Sequence, residues 1–321
     1  MISEDKCAIG MDLGGHFIKL AVVDGRGTVR LRETDPTCAD EGKDASVAQI
    51  VRSVHAFLSQ ANSVCDALIG VGIGAPGLIN VESGMVRFSP NLPGWLDVPI
   101  RRIIEDATGL PAGVGNDANV VAMAENAFGA GREFQDFICA TLGTGIGGAI
   151  VIGGKVVTGA DGTAGEIGHT TVDPDGPLCN CGNHGCLERF AGIKYIVERA
   201  ISKLESGTHN SMLPNMVDGQ LESLTPKIIA QAAEQGDSLA KEVFEETGTY
   251  LGIAFANLVN ILNPEAIVLG GGVSNAGELI FRPIRETIQR RAMPVPRETV
   301  QVVRATLGHD AGIIGASLLV R

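Results

Sequence analysis

The chain has 321 residues, of which 45% are apolar, and it carries a formal net charge of −12 at pH 7. This length exceeds what one hydrophobic core usually supports, so two domains are expected. An acidic chain with no Lys/Arg cluster longer than a pair is a poor match for nucleic acid or an anionic membrane, because both select for basic surface. No signal-peptide pattern opens the sequence, and we expect a small-molecule ligand and no membrane partner.

Strand-like and helical patterns alternate along the chain, which indicates an α/β protein. The predicted strands are 8–13, 17–23, 68–73, 111–115, 137–142, 148–152, 266–269 and 299–304. The predicted helices are 46–60, 118–128, 189–202, 225–235, 238–260, 278–291 and 311–319. Thr225, Asp237 and Asp310 stand where side chains cap the first N–H groups of a helix.

A weak internal repeat joins residues 9–23 and 138–152, which share the plan of strand, glycine turn, strand. Glycine leaves backbone N–H groups bare, so an anion can approach them. Tight hairpins also use glycine for steric reasons alone, but two such turns together favour a polyphosphate ligand.

A third glycine cluster, Gly270-Gly271-Gly272, follows a predicted strand and precedes a helix. It is either an ordinary strand-to-helix turn or a place where a nucleotide base or ribose approaches the backbone. No G-K-[ST] follows, so the cluster is not a P-loop.

One histidine and three cysteines lie close together in the segment 166–188. Three thiolates and an imidazole are a donor set for tetrahedral zinc, and four protein donors leave no position for a catalytic water. His184 is the alternative imidazole, and a run of reduced surface cysteines is the alternative interpretation. We predict a structural Zn²⁺ held by His169, Cys179, Cys181 and Cys186.

The other four cysteines, Cys7, Cys38, Cys65 and Cys139, are scattered singly and are interpreted as free thiols. Free thiols and a thiolate metal site both indicate a reducing compartment, so a cytoplasmic location is expected.

The sequence Asn116-Asp117-Ala118-Asn119 stands where a predicted strand meets a helix. On position alone Asp117 is as readily an N-cap as a catalytic carboxylate. The further acids Glu166 and Glu188 favour chemistry, because phosphoryl transfer needs a base for the hydroxyl proton and groups that hold a polyol.

Taken in order, the motifs G-M-D-L-G-G, A-P-G, N-D-A-N, L-G-T-G-I-G-G, G-E-I-G-H…C-x-C-G-x-x-G-C-L-E and V-L-G-G-G-V-S-N resemble the ROK family (repressor, open reading frame, kinase) from about residue 7 onward. The resemblance implies the actin-like ATPase, ribonuclease H-like fold, with two α/β domains around a nucleotide and sugar cleft. We expect a small domain of residues 1–117 completed by 308–321, and a large domain of residues 118–307.

By the same resemblance, Asp117 is the catalytic base and the reaction uses ATP and Mg²⁺. The ATP phosphates would meet Asp12, Gly14, Gly15, His16, Gly143, Thr144, Gly145, Gly147 and Gly148. Gly271 and Gly272 would flank the adenosine. The sugar would meet Gly77, Asn91, Asn116, Asp117, Glu166, His169 and Glu188.

The segment Asn91-Leu92-Pro93-Gly94-Trp95 resembles the N-L-x-G-W segment common in glucokinases, and the cysteine spacing is similar to that of glucokinases and N-acetylmannosamine kinases. The resemblance therefore implies phosphorylation of a hexose at its 6-hydroxyl, with glucose first and N-acetylmannosamine, mannose or fructose as alternatives. A catalytically inactive sugar sensor is a further alternative. The side chain of Trp95 is expected to be a core anchor.

This chain departs from the family at His16, where a threonine is usual. An imidazole is larger than a hydroxyl and donates from farther out. We expect His16 still to contact the phosphates.

The family also contains transcription repressors, which carry a helix-turn-helix segment before the first phosphate strand. Here that strand begins by about Cys7, so no DNA-binding domain is expected. The family's habit of pairing implies a homodimer or homotetramer.

Overall fold

The computed structural model describes residues 6–207 and 210–321. It divides into two compact units. Unit 1 contains the described residues through Gln135 together with Ala149–Gly165 and Ala305–Arg321. Unit 2 contains the described residues of Asp136–Gly148 and Glu166–Arg304.

The strands are β1 (Lys6–Leu13), β2 (Phe17–Asp24), β3 (Val29–Pro36), β4 (Ala67–Ala75), β5 (Leu78–Asn80), β6 (Met85–Phe88), β7 (Leu96–Val98), β8 (Ala112–Asn116), β9 (Phe137–Leu142), β10 (Ile146–Ile152), β11 (Lys155–Val156), β12 (Ala266–Gly270) and β13 (Gln301–Arg304). The helices are α1 (Lys43–Val64), α2 (Ile100–Thr108), α3 (Asp117–Phe128), α4 (Glu188–Ala191), α5 (Ile193–Glu205), α6 (Leu213–Met216), α7 (Pro226–Glu234), α8 (Ser238–Leu262), α9 (Glu278–Arg291), α10 (Pro294–Thr299) and α11 (Ala311–Ser317).

The first five-stranded sheet has the order β3-β2-β1-β4-β8. Strand β1 pairs antiparallel with β2 and parallel with β4, which in turn pairs parallel with β8. Ile9, Met11 and Ile73 belong to a buried cluster that includes Phe57 of α1. This face of the sheet is the main core of unit 1.

Helix α11 lies very close to β1 and β4. A Cβ added at Gly10 or Gly72 would overlap the carbonyl of Ile313 or Ala316, so glycine is required at both strand positions. On α11 itself, Gly315 lies equally close to the carbonyl of Val120 in α3. The C-terminal helix therefore lies in contact with both the sheet and α3.

Helix α3 belongs to unit 1, where it packs against α11. The expected domain limit at residues 117/118 coincides with the first residue of this helix. The domain limits stay a prediction.

The second five-stranded sheet has the order β11-β10-β9-β12-β13. Strand β12 pairs parallel with both β9 and β13. This plan repeats that of the first sheet, with a glycine turn between the first two strands in each, and it explains the internal repeat in the sequence.

The core of unit 2 is formed by helices and by the inner strands of the second sheet. Phe244 and Phe255 of α8 are fully buried in a cluster that includes Ile280 of α9 and Ile267 of β12. This cluster continues to Leu187, the residue that precedes α4.

The structure confirms two of the three predicted caps. Thr225 accepts from the N–H of Ile228, and Asp237 accepts from the N–H of Ala240. The prediction for Asp310 is wrong, because its carboxylate makes no cap hydrogen bond and instead accepts from both terminal nitrogens of Arg32, at 3.1 Å each.

The interpretation of Cys7 and Cys65 as free thiols is also wrong. The two residues form a disulfide with their Cα atoms 6.3 Å apart. It joins the second residue of β1 to the residue that follows α1. Among the described residues, Cys38 and Cys139 form no disulfide.

Within residues 6–207 and 210–321, no helix combines the length and the apolar composition needed to span a bilayer.

Candidate active site

The first glycine turn, Gly14–Gly15, joins β1 to β2 in unit 1. The N–H of Gly14 donates to the carbonyl of Phe17 at 2.9 Å, and the hydroxyl of Thr37 donates to the carbonyl of Gly14 at 2.7 Å. Asp12, at the end of β1, is paired with Lys19 of β2 at 3.0 Å. Thr37 and Lys19 were not predicted as site residues, since neither belongs to the motif.

His16 lies at the tip of this hairpin, and its side chain is exposed. Its carbonyl accepts from the N–H of Thr37 at 2.9 Å. The backbone of the turn is therefore fixed by Thr37, while the imidazole faces solvent.

Asn116, rather than Asp117, is the N-cap of α3. The Asn116 Oδ1 accepts from the N–H groups of Ala118 and Asn119 at 2.9 and 3.2 Å, and its Nδ2 donates to the carbonyl of Gly77 at 3.2 Å. Asp117 is the first helical residue and accepts from the N–H of Ala118 at 2.8 Å. Capping is thus supplied by the neighbouring residue.

The Asn91 segment lies beside the first glycine turn. A Cβ added at Gly15 would lie 2.8 Å from the carbonyl oxygen of Asn91. Four residues further on, Trp95 is 2% exposed and its indole N–H donates to the hydroxyl of Ser46 at 2.8 Å. Trp95 therefore packs in the core, as expected.

His169, Cys179, Cys181 and Cys186 converge in unit 2, and their ligand atoms all lie within 4.8 Å of one another. The Cys179 sulfur is 3.7 Å from His169 Nδ1, and the Cys181 and Cys186 sulfurs are 3.6 Å apart. Tetrahedral zinc with bonds of roughly 2.0 to 2.3 Å would place its donors about 3.5 to 3.8 Å apart. The four residues fit such an ion, which would be bound by Nδ1 of the imidazole.

The chemistry of the three thiols fits a cation as well. Burial, together with hydrogen bonds and negative charge from Cys181 and Cys179, raises the pKa of Cys186 to about 12. A bound divalent ion removes this penalty, because it holds a coordinating thiol as thiolate.

His184 does not join the cluster. It is exposed, and its Nδ1 is 3.2 Å from the carbonyl oxygen of Gly176. The structure therefore brings the predicted imidazole, and not its alternative, to the three sulfurs.

Glu166, His169 and Glu188 are electrostatic neighbours in unit 2. Desolvation raises the pKa of Glu166, the charge of His169 opposes this, and the charge of Glu188 reinforces it. The carbonyl of Glu166 accepts from the N–H of His169 at 3.1 Å, and Glu188 is the first residue of α4, two positions after Cys186. The four predicted metal ligands thus belong to the same segment, 166–188, that begins and ends with the two glutamates.

The second glycine turn, Gly143-Thr144-Gly145, joins β9 to β10 in unit 2. The N–H of Gly143 donates to the carbonyl of Gly145 at 3.0 Å. The predicted phosphate residues Gly147 and Gly148 lie beyond the turn, inside β10.

Gly271 and Gly272 follow β12 in unit 2. Gly271 has φ +83°, and a Cβ there would overlap the carbonyl of Leu142, so this position requires glycine. A cavity of about 430 Å³ opens beside the two glycines. Its lining comprises Pro226, Lys227, Ala230, Gln231, Glu234, Gly272, Val273, Asn275 and Ala276. The contribution of α7 to this cavity was not predicted, because its polar residues match no motif.

A model of the ROK family matches residues 8–321. The chain belongs to the ROK family. A glucokinase of Thermotoga maritima is 38% identical over 313 residues, which cover 98% of this chain and 96% of that protein. A xylose repressor of Caldicellulosiruptor bescii is 32% identical over 97% of this chain and 77% of its own length.

Among solved structures, a ROK glucokinase of Streptomyces griseus in complex with glucose and AMPPNP has a TM-score of 0.83 to this chain at 37% identity, over 98% of both chains. The expected fold class, α/β with the actin-like ATPase fold, is confirmed.

Proposed function

We propose that this ROK protein is an ATP-dependent hexose kinase that phosphorylates glucose at its 6-hydroxyl. The observation that carries the proposal is the division of roles between Asn116 and Asp117. Because Asn116 caps α3, capping does not account for a carboxylate at position 117. The relatives named glucokinase support the choice of sugar.

In the proposed reaction, Asp117 accepts the proton of the 6-hydroxyl as its oxygen attacks the γ-phosphorus. The bond between that phosphorus and the β,γ-bridging oxygen breaks, and ADP leaves with the bond's electron pair. Catalysis of this kind rests on positioning and on charge stabilisation. Asp12, which pairs with Lys19, would bind Mg²⁺, and the ion would neutralise phosphate charge.

The sugar contacts that the family resemblance implies are Gly77, Asn91, Asn116, Glu166, His169 and Glu188. Zinc would bind His169 Nδ1 and so fix which ring nitrogen, Nε2, is presented to the sugar. The metal's role is therefore to aim a substrate contact and to frame the two glutamates.

We also propose ATP as the phosphoryl donor, with its phosphates on the two glycine turns and its adenosine at the cavity beside Gly271 and Gly272. A homodimer or homotetramer in the cytoplasm is proposed by analogy with the family. Light scattering that shows a monomer across working concentrations would contradict the oligomer.

A coupled ADP-release assay with glucose, N-acetylmannosamine, mannose and fructose tests the function. We expect glucose to give the highest kcat/KM. Preference for N-acetylmannosamine would reassign the substrate. Binding of a hexose with no turnover of any would instead identify a sugar sensor.

A further inference from the structure

The backbone of Ile146, the first residue after the second glycine turn, contacts both acidic segments of unit 2. Its N–H donates to Glu188 Oε2 at 3.1 Å. Its carbonyl lies so close to Gly168 that a Cβ there would overlap it. Gly168 stands between Glu166 and His169 in the sequence, so one residue at the end of the turn touches both segments that carry the proposed sugar contacts.

The junction of α4 and α5 lies against the same turn. The N–H of Ile193 donates to the carbonyl of Gly143 at 3.0 Å. A Cβ added at Gly192 would lie 2.9 Å from the carbonyl oxygen of Thr144. A Cβ at Gly145 would overlap Glu188 Oε2 itself. The conformation of the turn is therefore tied to where the Glu188 carboxylate lies.

We propose that Glu188 couples hexose binding to nucleotide binding, holding the Ile146 N–H with Oε2 while Oε1 accepts a hydroxyl of the sugar. The inference rests on the proposed function and deepens it. Over the described residues, the bond to Ile146 is the one hydrogen bond of the Glu188 side chain. An ionised carboxylate has two acceptor oxygens in one rigid plane, so a sugar that reorients one oxygen also moves the other.

The consequence is a coupling free energy between the two substrates. When the sugar fixes the carboxylate, the turn is held in one conformation before phosphates arrive, and each substrate then raises the affinity of the other by the same factor. Glu166 belongs to the same proposed sugar site, but its side chain has no hydrogen bond to the turn among the described residues. Glu166 is therefore the matched control for Glu188.

The test is calorimetric titration of glucose with and without a saturating Mg²⁺ complex of a non-hydrolysable ATP analogue. For the wild-type protein, the analogue is expected to tighten glucose binding at least about five-fold, the lower end of ordinary coupling. The side chain of Glu188→Asp is shorter by one methylene and does not reach the Ile146 N–H. The ratio of its glucose affinities with and without the analogue should therefore approach one. Glu188→Gln keeps a carbonyl oxygen for the Ile146 N–H, so it should bind glucose more weakly with the wild-type factor. Glu166→Gln should behave like Glu188→Gln.

Gly145→Ala perturbs the same contact from the turn and leaves the carboxylate intact. Because its Cβ would displace Glu188 Oε2, it should bind glucose more weakly and should also lose the coupling. Direct titration with the analogue checks that the nucleotide still binds, and the variant then decides the matter if Glu188→Asp binds no glucose or fails to fold. Zinc content is measured for every variant.

A wild-type factor near one would overturn the inference and leave the proposed kinase in place. Coupling of wild-type size in Glu188→Asp would also overturn the inference. Where Glu188→Asp gives no measurable binding, coupling of wild-type size in Gly145→Ala would overturn it. Absence of any glucose binding to the wild-type protein would remove the proposed function itself, and the inference with it.

Discussion

Both carboxylate oxygens of Glu125 accept the backbone N–H of Thr306, at 3.1 and 3.2 Å. The N–H groups of Leu307 and Ala130 add bonds of 2.9 and 2.8 Å to the same fully buried side chain. Glu125 belongs to α3, and Thr306 lies in the segment before α11, so one carboxylate links the two helices that pack against each other in unit 1.

Replacing Glu125 by Gln should lower the free energy of unfolding by about 1 to 3 kcal/mol, because the amide nitrogen cannot accept from a backbone N–H. Either orientation of the amide directs its N–H₂ at a donor. Urea denaturation measures the loss. Glu133→Gln, at an exposed position shortly after α3, is the matched control and should change little. Equal stability of the two variants would contradict the assigned role of Glu125.

Asp117→Asn should reduce kcat by about two to four orders of magnitude, the usual effect of removing a general base. Folding, zinc content and sugar affinity should survive, because Asn116 supplies the helix cap. Steady-state kinetics and calorimetry check both parts. A variant that retains more than about a tenth of wild-type turnover would remove Asp117 from the role of base.

Cys181→Ala should lose stoichiometric zinc, and with it part of the roughly 10 to 16 kcal/mol that structural zinc can contribute to local folding. His184→Ala removes a histidine of the same segment that does not join the cluster, so it should keep the metal. Metal analysis of the two purified variants makes the comparison. Zinc retained by the first and lost by the second would show that the ligand set is wrong.

The buried Asp237 should make stability depend on pH in the acid range. Burial by itself raises its pKa, but hydrogen bonds from the N–H groups of Ala240 and Met212 and from the Ser211 hydroxyl outweigh it and hold the pKa below 3.8. A depressed pKa means that the contribution is complete above the unfolded value and is lost as pH falls through the folded value.

Asp237→Asn should therefore flatten the loss of unfolding free energy as pH is lowered below 3.8. Its amide oxygen can still cap α8, but the amide nitrogen cannot accept from Met212. Urea denaturation at a series of pH values tests this. Asp218→Asn, at an exposed position nearby, should keep the wild-type profile, and identical profiles for both variants would refute the linkage.

Motifs with local chemistry were readable from the sequence. Helix α9 and strand β9 have the predicted bounds, because periodicity and glycine boundaries mark them. The caps at Thr225 and Asp237 followed from residue type. The metal cluster was also predictable, since close spacing of soft ligands is a property of the chain itself.

Contacts between residues far apart in the sequence could not be predicted from it. Asp310 has the right residue type for a cap but is bound by Arg32, a partner 278 positions away. The disulfide of Cys7 and Cys65 depends equally on packing that no local pattern records. Gly192 divides one predicted helix into α4 and α5 because that residue must approach the second glycine turn.

The close contact of α11 with β1 also determines when unit 1 can be completed during synthesis. Strands β1 and β4 leave the ribosome early, yet the helix that touches Gly10 and Gly72 follows the whole of unit 2 in the sequence. Until then, the face of this sheet that carries Gly10 and Gly72 lacks α11, and Glu125 lacks its Thr306 and Leu307 donors. Contacts of such sequence separation form slowly and expose apolar surface while they are pending. The nascent chain must therefore hold an unfinished domain while the whole of unit 2 is being made.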